Sequence, residues 1–114
     1  MKSFTAVLAS AALLVLAGSP AHAATVYTGD VIQGKRVISA LDVDDLEAGK
    51  VHRFYFQGVQ MGSGQHWYLP VVVAKGAKPG RKILLISGVH GDELSPVDAV
   101  HRTMAALDPL QMSG

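Results

Sequence analysis

The stretch Lys82-Ile83-Leu84-Leu85-Ile86-Ser87-Gly88-Val89-His90-Gly91-Asp92-Glu93-Leu94-Ser95-Pro96-Val97 decides how the 114-residue chain is read. Ile83, Leu84, Leu85 and Ile86 form a continuous apolar run instead of an alternating one. That pattern predicts a strand buried on both faces, as in a parallel sheet covered by helices. Gly88 ends the run. Ser95 is placed to act as N-cap, Pro96 to stand at the first helical position and Asp98 to follow three residues after the cap, together a strong helix start. The helix is expected to reach Leu107, with Val97, Val100, Met104 and Leu107 on one face, and Asp108-Pro109 is expected to close it. The order is therefore strand, loop, helix. A helix after a buried strand ordinarily crosses back to a parallel neighbour. Few residues follow Pro109, so the segment is expected to be the truncated start of a larger sheet.

His90 and Glu93 lie in the turn between that strand and the helix. Sites in open α/β sheets form at the carboxyl ends of strands. Zinc takes imidazole nitrogen and carboxylate oxygen at about 2.0–2.2 Å, and a catalytic site keeps one position for water. Three residues of separation in a tight turn bring both side chains within reach of one ion. Gly91 is expected to supply the backbone freedom for that turn. As a bare spacing, H-x-x-E is a weak signal and equally describes a polar surface loop. Its position between a buried strand and a capped helix makes it a candidate site. Asp92 either orients a ligand or substrate, or is a loop residue chosen for its turn geometry. His52, His66 and His101 are read as ordinary surface or half-buried histidines.

Working towards the N-terminus, Lys78-Pro79-Gly80-Arg81 fits a type II turn, with Pro79 presetting φ and Gly80 accepting a positive φ. Residues 66–74 form a strand pattern, and Pro70 inside it points to an edge strand or a bulge. Residues 58–64 are a glycine-rich turn. Residues 51–56 form a second strand pattern and residues 35–43 a third, within a β-rich stretch over 24–75. Asp42, Asp44, Asp45 and Glu47 cluster before Gly49. They are expected to be a solvated turn, since the Gly and terminal Glu of a calcium loop are missing.

The first residues carry the pattern of a secretory signal: Lys2, an apolar run over 6–17, then Ala21-His22-Ala23 as a small-x-small cleavage site. The run is too short for a bilayer span of about 20 residues. Ser19 stands where a lipoprotein signal has its acylated Cys, and the chain has no Cys at all, so no stable membrane anchor is expected. Cleavage after Ala23 removes Lys2 and leaves basic and acidic residues in balance. Nothing in that charge points to nucleic acid or an anionic membrane surface as partner. The absence of Cys also removes disulfides as staples.

Residues 69–107 resemble the start of the catalytic domain of the succinylglutamate desuccinylase/aspartoacylase family, part of the wider zinc carboxypeptidase group. The likeness rests on Pro70-Val71-Val72-Val73 with Gly76, the Pro79-Gly80 turn, the strand over 82–86, Ser87-Gly88-Val89-His90-Gly91-Asp92-Glu93 and the helix over 99–107. The family's H-G-[DN]-E motif falls on His90 to Glu93 without gaps. The resemblance implies that His90 and Glu93 each bind one zinc ion. It implies that a second His far downstream completes the ligand set, that a later Glu serves as general base, and that arginines hold a substrate carboxylate. None of these later elements has a counterpart before Gly114.

The expected organisation is a signal peptide over 1–23, a β-rich segment over 24–68 and the incomplete start of a zinc-hydrolase domain over 69–114. The fold class is α/β: a β-rich segment, then the first strand-loop-helix of a mostly parallel, helix-covered, zinc carboxypeptidase-like sheet. The expected function is zinc-dependent hydrolysis of an amide or ester by the full-length exported protein, periplasmic or secreted, on a small molecule or peptide bearing a carboxylate. The residues leave two alternatives: an exported β-rich binding module, motivated by the alternating strands and the Trp67-Tyr68 pair, or an inactive gene fragment.

Overall fold

The computed structural model describes residues 23–114. The expected signal peptide, apart from Ala23, lies outside the described residues. The described chain is a small, β-rich unit: a four-stranded mixed sheet and one α-helix. The strands are β1 (Val26–Ile32), β2 (Lys35–Ala40), β3 (Lys50–Gln60) and β4 (His66–Lys75), in spatial order β1-β2-β3-β4. The β1/β2 and β3/β4 pairs are antiparallel, and β2/β3 is parallel. Helix α1 is Leu94–Ala106.

Three of these strands lie where the sequence patterns put them, within a few residues. Pro70 sits in β4 opposite Tyr55, and β4 is an edge strand, where a residue without an N–H breaks no ladder on its free side. β2 stops at Ala40, short of the expected Val43, because Asp42 turns the chain. Its carboxylate accepts the Asp44 N–H at 2.9 Å and caps the short 3-10 helix Val43–Asp45. β1 and β2 are joined by Gln33-Gly34, with φ of 50° and 73°. Positive φ at both central residues is the geometry whose twist suits a tight antiparallel hairpin.

Ile38, Leu46 and Phe54 form the buried core, with Leu41, Phe56, Val71 and Val73 packed against it. Tyr27 lies edge-on to Phe54 at 6.1 Å between ring centroids, and the Arg36 guanidinium covers Tyr27 at 3.3 Å from its centroid. His52 stacks on Phe54 at 6.3 Å, as their shared face requires.

The acidic cluster is a solvent-facing turn held by its own chain. Asp45 accepts the Thr25 N–H at 2.7 Å, Glu47 pairs with Lys50 at 2.8 Å, and Asp44 pairs with Lys82 at 2.8 Å. The hydrogen bond to Asp44, reinforced by that carboxylate's charge, raises the Lys82 pKa. A raised lysine pKa means the contact is present at neutral pH and is lost only as pH climbs through the raised value.

The structure corrects three expectations downstream of β4. Ile83, Leu84, Leu85 and Ile86 form no strand and are 84%, 81%, 49% and 72% exposed. A strand buried on both faces needs a ladder partner and covering layers. Residues 82–88 make no backbone hydrogen bond to another described residue, and only the Lys82 side chain ties the segment to the sheet region. The turn at Lys78-Pro79-Gly80-Arg81 is not type II, because Gly80 does not take a positive φ. Instead, residues 76–78 bond to the C-terminal segment. The Gly76, Ala77 and Lys78 N–H groups donate to the carbonyls of Gly114, Pro109 and Met112, and Lys78 forms a parallel bridge with Ser113. Gly76 and Gly80 are glycines because this crossing leaves no space for a Cβ: one at Gly76 would lie 2.6 Å from the Met112 carbonyl oxygen, and one at Gly80 would strike the Ser113 backbone.

The third correction concerns the helix start. Glu93 is the N-cap residue, in place of Ser95, and its side chain makes no capping bond. Pro96 still lies in the first turn, where its missing N–H has no intrahelical partner to lose. Val97, Val100, Met104 and Leu107 are the half-buried residues along this segment, so the expected apolar stripe is the least exposed side of the helix. Leu107 ends the helix with extended angles, and Asp108, before Pro109, caps the 3-10 turn Pro109–Gln111. Among the described residues, no helix is long and apolar enough to cross a membrane.

Candidate metal centre

His90 and Glu93 meet. The Glu93 N–H donates to the His90 carbonyl at 3.2 Å, closing a turn whose first and last residues are these two. The turn brings His90 Nδ1 to 3.1 Å from Glu93 Oε1. The Leu94 N–H then donates to the Asp92 carbonyl at 3.1 Å, which starts α1 directly after the turn. Asp92 thus contributes its backbone here, and its side chain is not part of the pair. Glu93 makes no side-chain capping bond; its carboxylate is turned to His90 at the head of the helix.

The glycine that needs its special conformation is Gly88, at φ 71°, and not Gly91, whose φ is not positive. A Cβ at Gly88 would also come to 3.0 Å from Val97 Cγ2, so Gly88 sets both the bend out of the apolar run and its approach to α1. The signal for this was in the sequence, since glycine commonly ends an element where a backbone passes close to a helix.

The two side chains are open to solvent, 74% exposed for His90 and 50% for Glu93. A surface pair of this kind contributes little to stability. Its donor spacing, however, suits a shared ion. Two ligand atoms at about 2.0–2.1 Å from a tetrahedral zinc stand about 3.3 Å apart. The observed 3.1 Å is close to that edge length, and it is equally the length of a direct His90–Glu93 hydrogen bond, which an ion would replace.

Two of the other described histidines are engaged elsewhere. His52 Nε2 donates to the Glu47 carbonyl at 2.9 Å, and His66 Nδ1 donates to the Gly58 carbonyl at 3.2 Å. His101 lies two turns further along α1. Among the described residues, no three His, Cys, Asp or Glu side chains are grouped to hold a metal ion. The structure therefore brings together the two predicted ligands and no third. Comparison of the chain with protein-family models, with curated proteins and with solved structures found no match.

Proposed function

We propose that the chain carries the first two ligands of a zinc-dependent hydrolase of the succinylglutamate desuccinylase/aspartoacylase type, zinc carboxypeptidase-like in fold and exported from the cell. The observation that carries this reading is the 3.1 Å approach of His90 Nδ1 and Glu93 Oε1 within a turn that leads directly into a helix. Both side chains are accessible, so an ion can reach them from solvent. The reading assigns the third ligand, a histidine, and a glutamate general base to sequence beyond Gly114.

A bound zinc ion supplies polarisation of a carbonyl and acidification of a water. This chain's own contributions are distinct. The His90–Gly91–Asp92–Glu93 turn fixes the separation of the two donors. The head of α1 anchors the backbone of Glu93 at the end of that turn. The fitting substrates are N-acyl amino acids, peptide ends and related amides or esters bearing a carboxylate.

The 114 residues alone are expected to hydrolyse neither N-acyl amino acids nor simple esters, since two ligands without a base do not form an open tetrahedral site. A form extended past Gly114 is expected to hold about one zinc per chain and to lose both metal and hydrolysis on Glu93→Ala. Hydrolysis by the 114-residue chain that disappears in His90→Ala, or an extended form free of zinc, contradicts the reading.

A further inference from the structure

We infer that the cleft between the sheet and α1 is a binding site for a small organic anion, a monocarboxylate on a short apolar body. The cleft has a volume of about 280 Å³ and is lined by Lys35, Arg53 and His101 together with Pro70, Val72 and Met104, among others. That volume is near the lower end of ligand pockets, about 300–1,000 Å³, which fits a compact metabolite.

The register explains why positive charge collects there. Val37 pairs with Tyr55 across the parallel β2/β3 ladder, and continuing that register two residues back sets Lys35 beside Arg53. Arg53 in turn pairs with Val72 across β3/β4. Lys35, Arg53 and Val72 thus form one cross-strand row, and side chains in such a row project from the same side of a sheet. Like charges directly opposite each other in a sheet repel and destabilise the pair. No Asp or Glu lines the cleft. Among the described residues, neither Lys35 nor Arg53 has a carboxylate partner: Lys35 lies over the Tyr55 ring at 5.2 Å, and Arg53 makes no ion pair. An anion between the two cations removes the repulsion and accepts charge-assisted hydrogen bonds from both. Pro70, Val72 and Met104 offer the apolar wall for the rest of the ligand.

The site is separate from the His90–Glu93 pair. His101, Met104 and Ala105 stand 8–12 residues beyond Glu93 on α1. At 1.5 Å rise per residue that is about 12–18 Å along the helix, too far for one small molecule to reach both. The inference does not depend on zinc.

The probe is hexanoate, titrated into the 114-residue chain and followed by amide nitrogen–proton NMR. Saturable shifts are expected at Lys35, Arg53, residues 70–72 and residues 101–105, with weaker or no response to hexan-1-ol and to inorganic phosphate. Arg53→Gln and Lys35→Gln are each expected to weaken hexanoate binding by about tenfold or more, while Arg53→Lys stays within about threefold of the parent. Unchanged amide positions outside the cleft show that a variant is still folded. Absence of localised shifts, equal binding of hexan-1-ol, equal binding of phosphate, or undiminished binding by Arg53→Gln overturns the inference.

Discussion

Phe54→Ala is expected to destabilise the sheet by ~3–5 kcal/mol, a large part of the 5–15 kcal/mol that holds a typical domain folded. Phe54 is 6% exposed and packs in one cluster with buried Ile38 and Leu46. Its ring also carries Tyr27 edge-on and His52 face-on, so truncation leaves both rings without their common support. With few buried neighbours, the surroundings have little material with which to refill the cavity. Each kcal/mol shifts Tm by about 4–8 °C in a domain of this size, so far-UV circular dichroism should register a fall of roughly 20 °C or outright unfolding. Val59→Ala, at a residue 76% exposed on the same strand, is the control and should move Tm very little. Equal effects of the two substitutions contradict the assignment of the core.

The second large effect concerns metal binding with the fold intact. Glu93→Gln keeps the length and shape of the side chain but replaces a carboxylate with a neutral amide, a far poorer zinc donor. Zinc binding at His90 is expected to be lost. Stability is expected to change by no more than about 0.5 kcal/mol, because an exposed ion pair contributes little and both side chains face solvent. His90→Ala should behave in the same way. This separation of metal from stability distinguishes a site from a structural contact. A turn that merely needed the His90–Glu93 bond would lose helix content in both variants whether or not zinc was added.

Where one face of an element meets the core and the other meets water, its sequence was sufficient. β3 and β4 are rich enough in aromatic and β-branched residues to be placed within a few residues, Pro70 pointed to an edge or a bulge, and the stripe from Val97 to Leu107 gave the least exposed side of α1. β1 escaped because Gly29, at φ 96°, and register shifts around Tyr27 and Val31 break its period of two. The hairpin turn escaped because Gln33 takes a positive φ that side-chain-bearing residues seldom adopt. The run Ile83 to Ile86 was misjudged for a different reason. Its composition reports what it would bury, but a strand exists only where a neighbouring backbone completes its ladder, and that partner is not encoded in the run. At the candidate centre, His90 and Glu93 share one turn in which their side chains meet. The capping role, by contrast, went to the wrong residue, since a Ser-Pro pair two positions later carries the stronger statistical signal than a Glu whose side chain is engaged with a histidine.

The most direct measurement of the central claim is a zinc titration of the 114-residue chain, followed by the side-chain nitrogen signals of its five histidines. The account predicts that His90 responds first and saturably, ahead of His22, His52, His66 and His101, and that its response disappears in Glu93→Gln. A response spread evenly over the histidines, or a His90 response that survives Glu93→Gln unchanged, would contradict it.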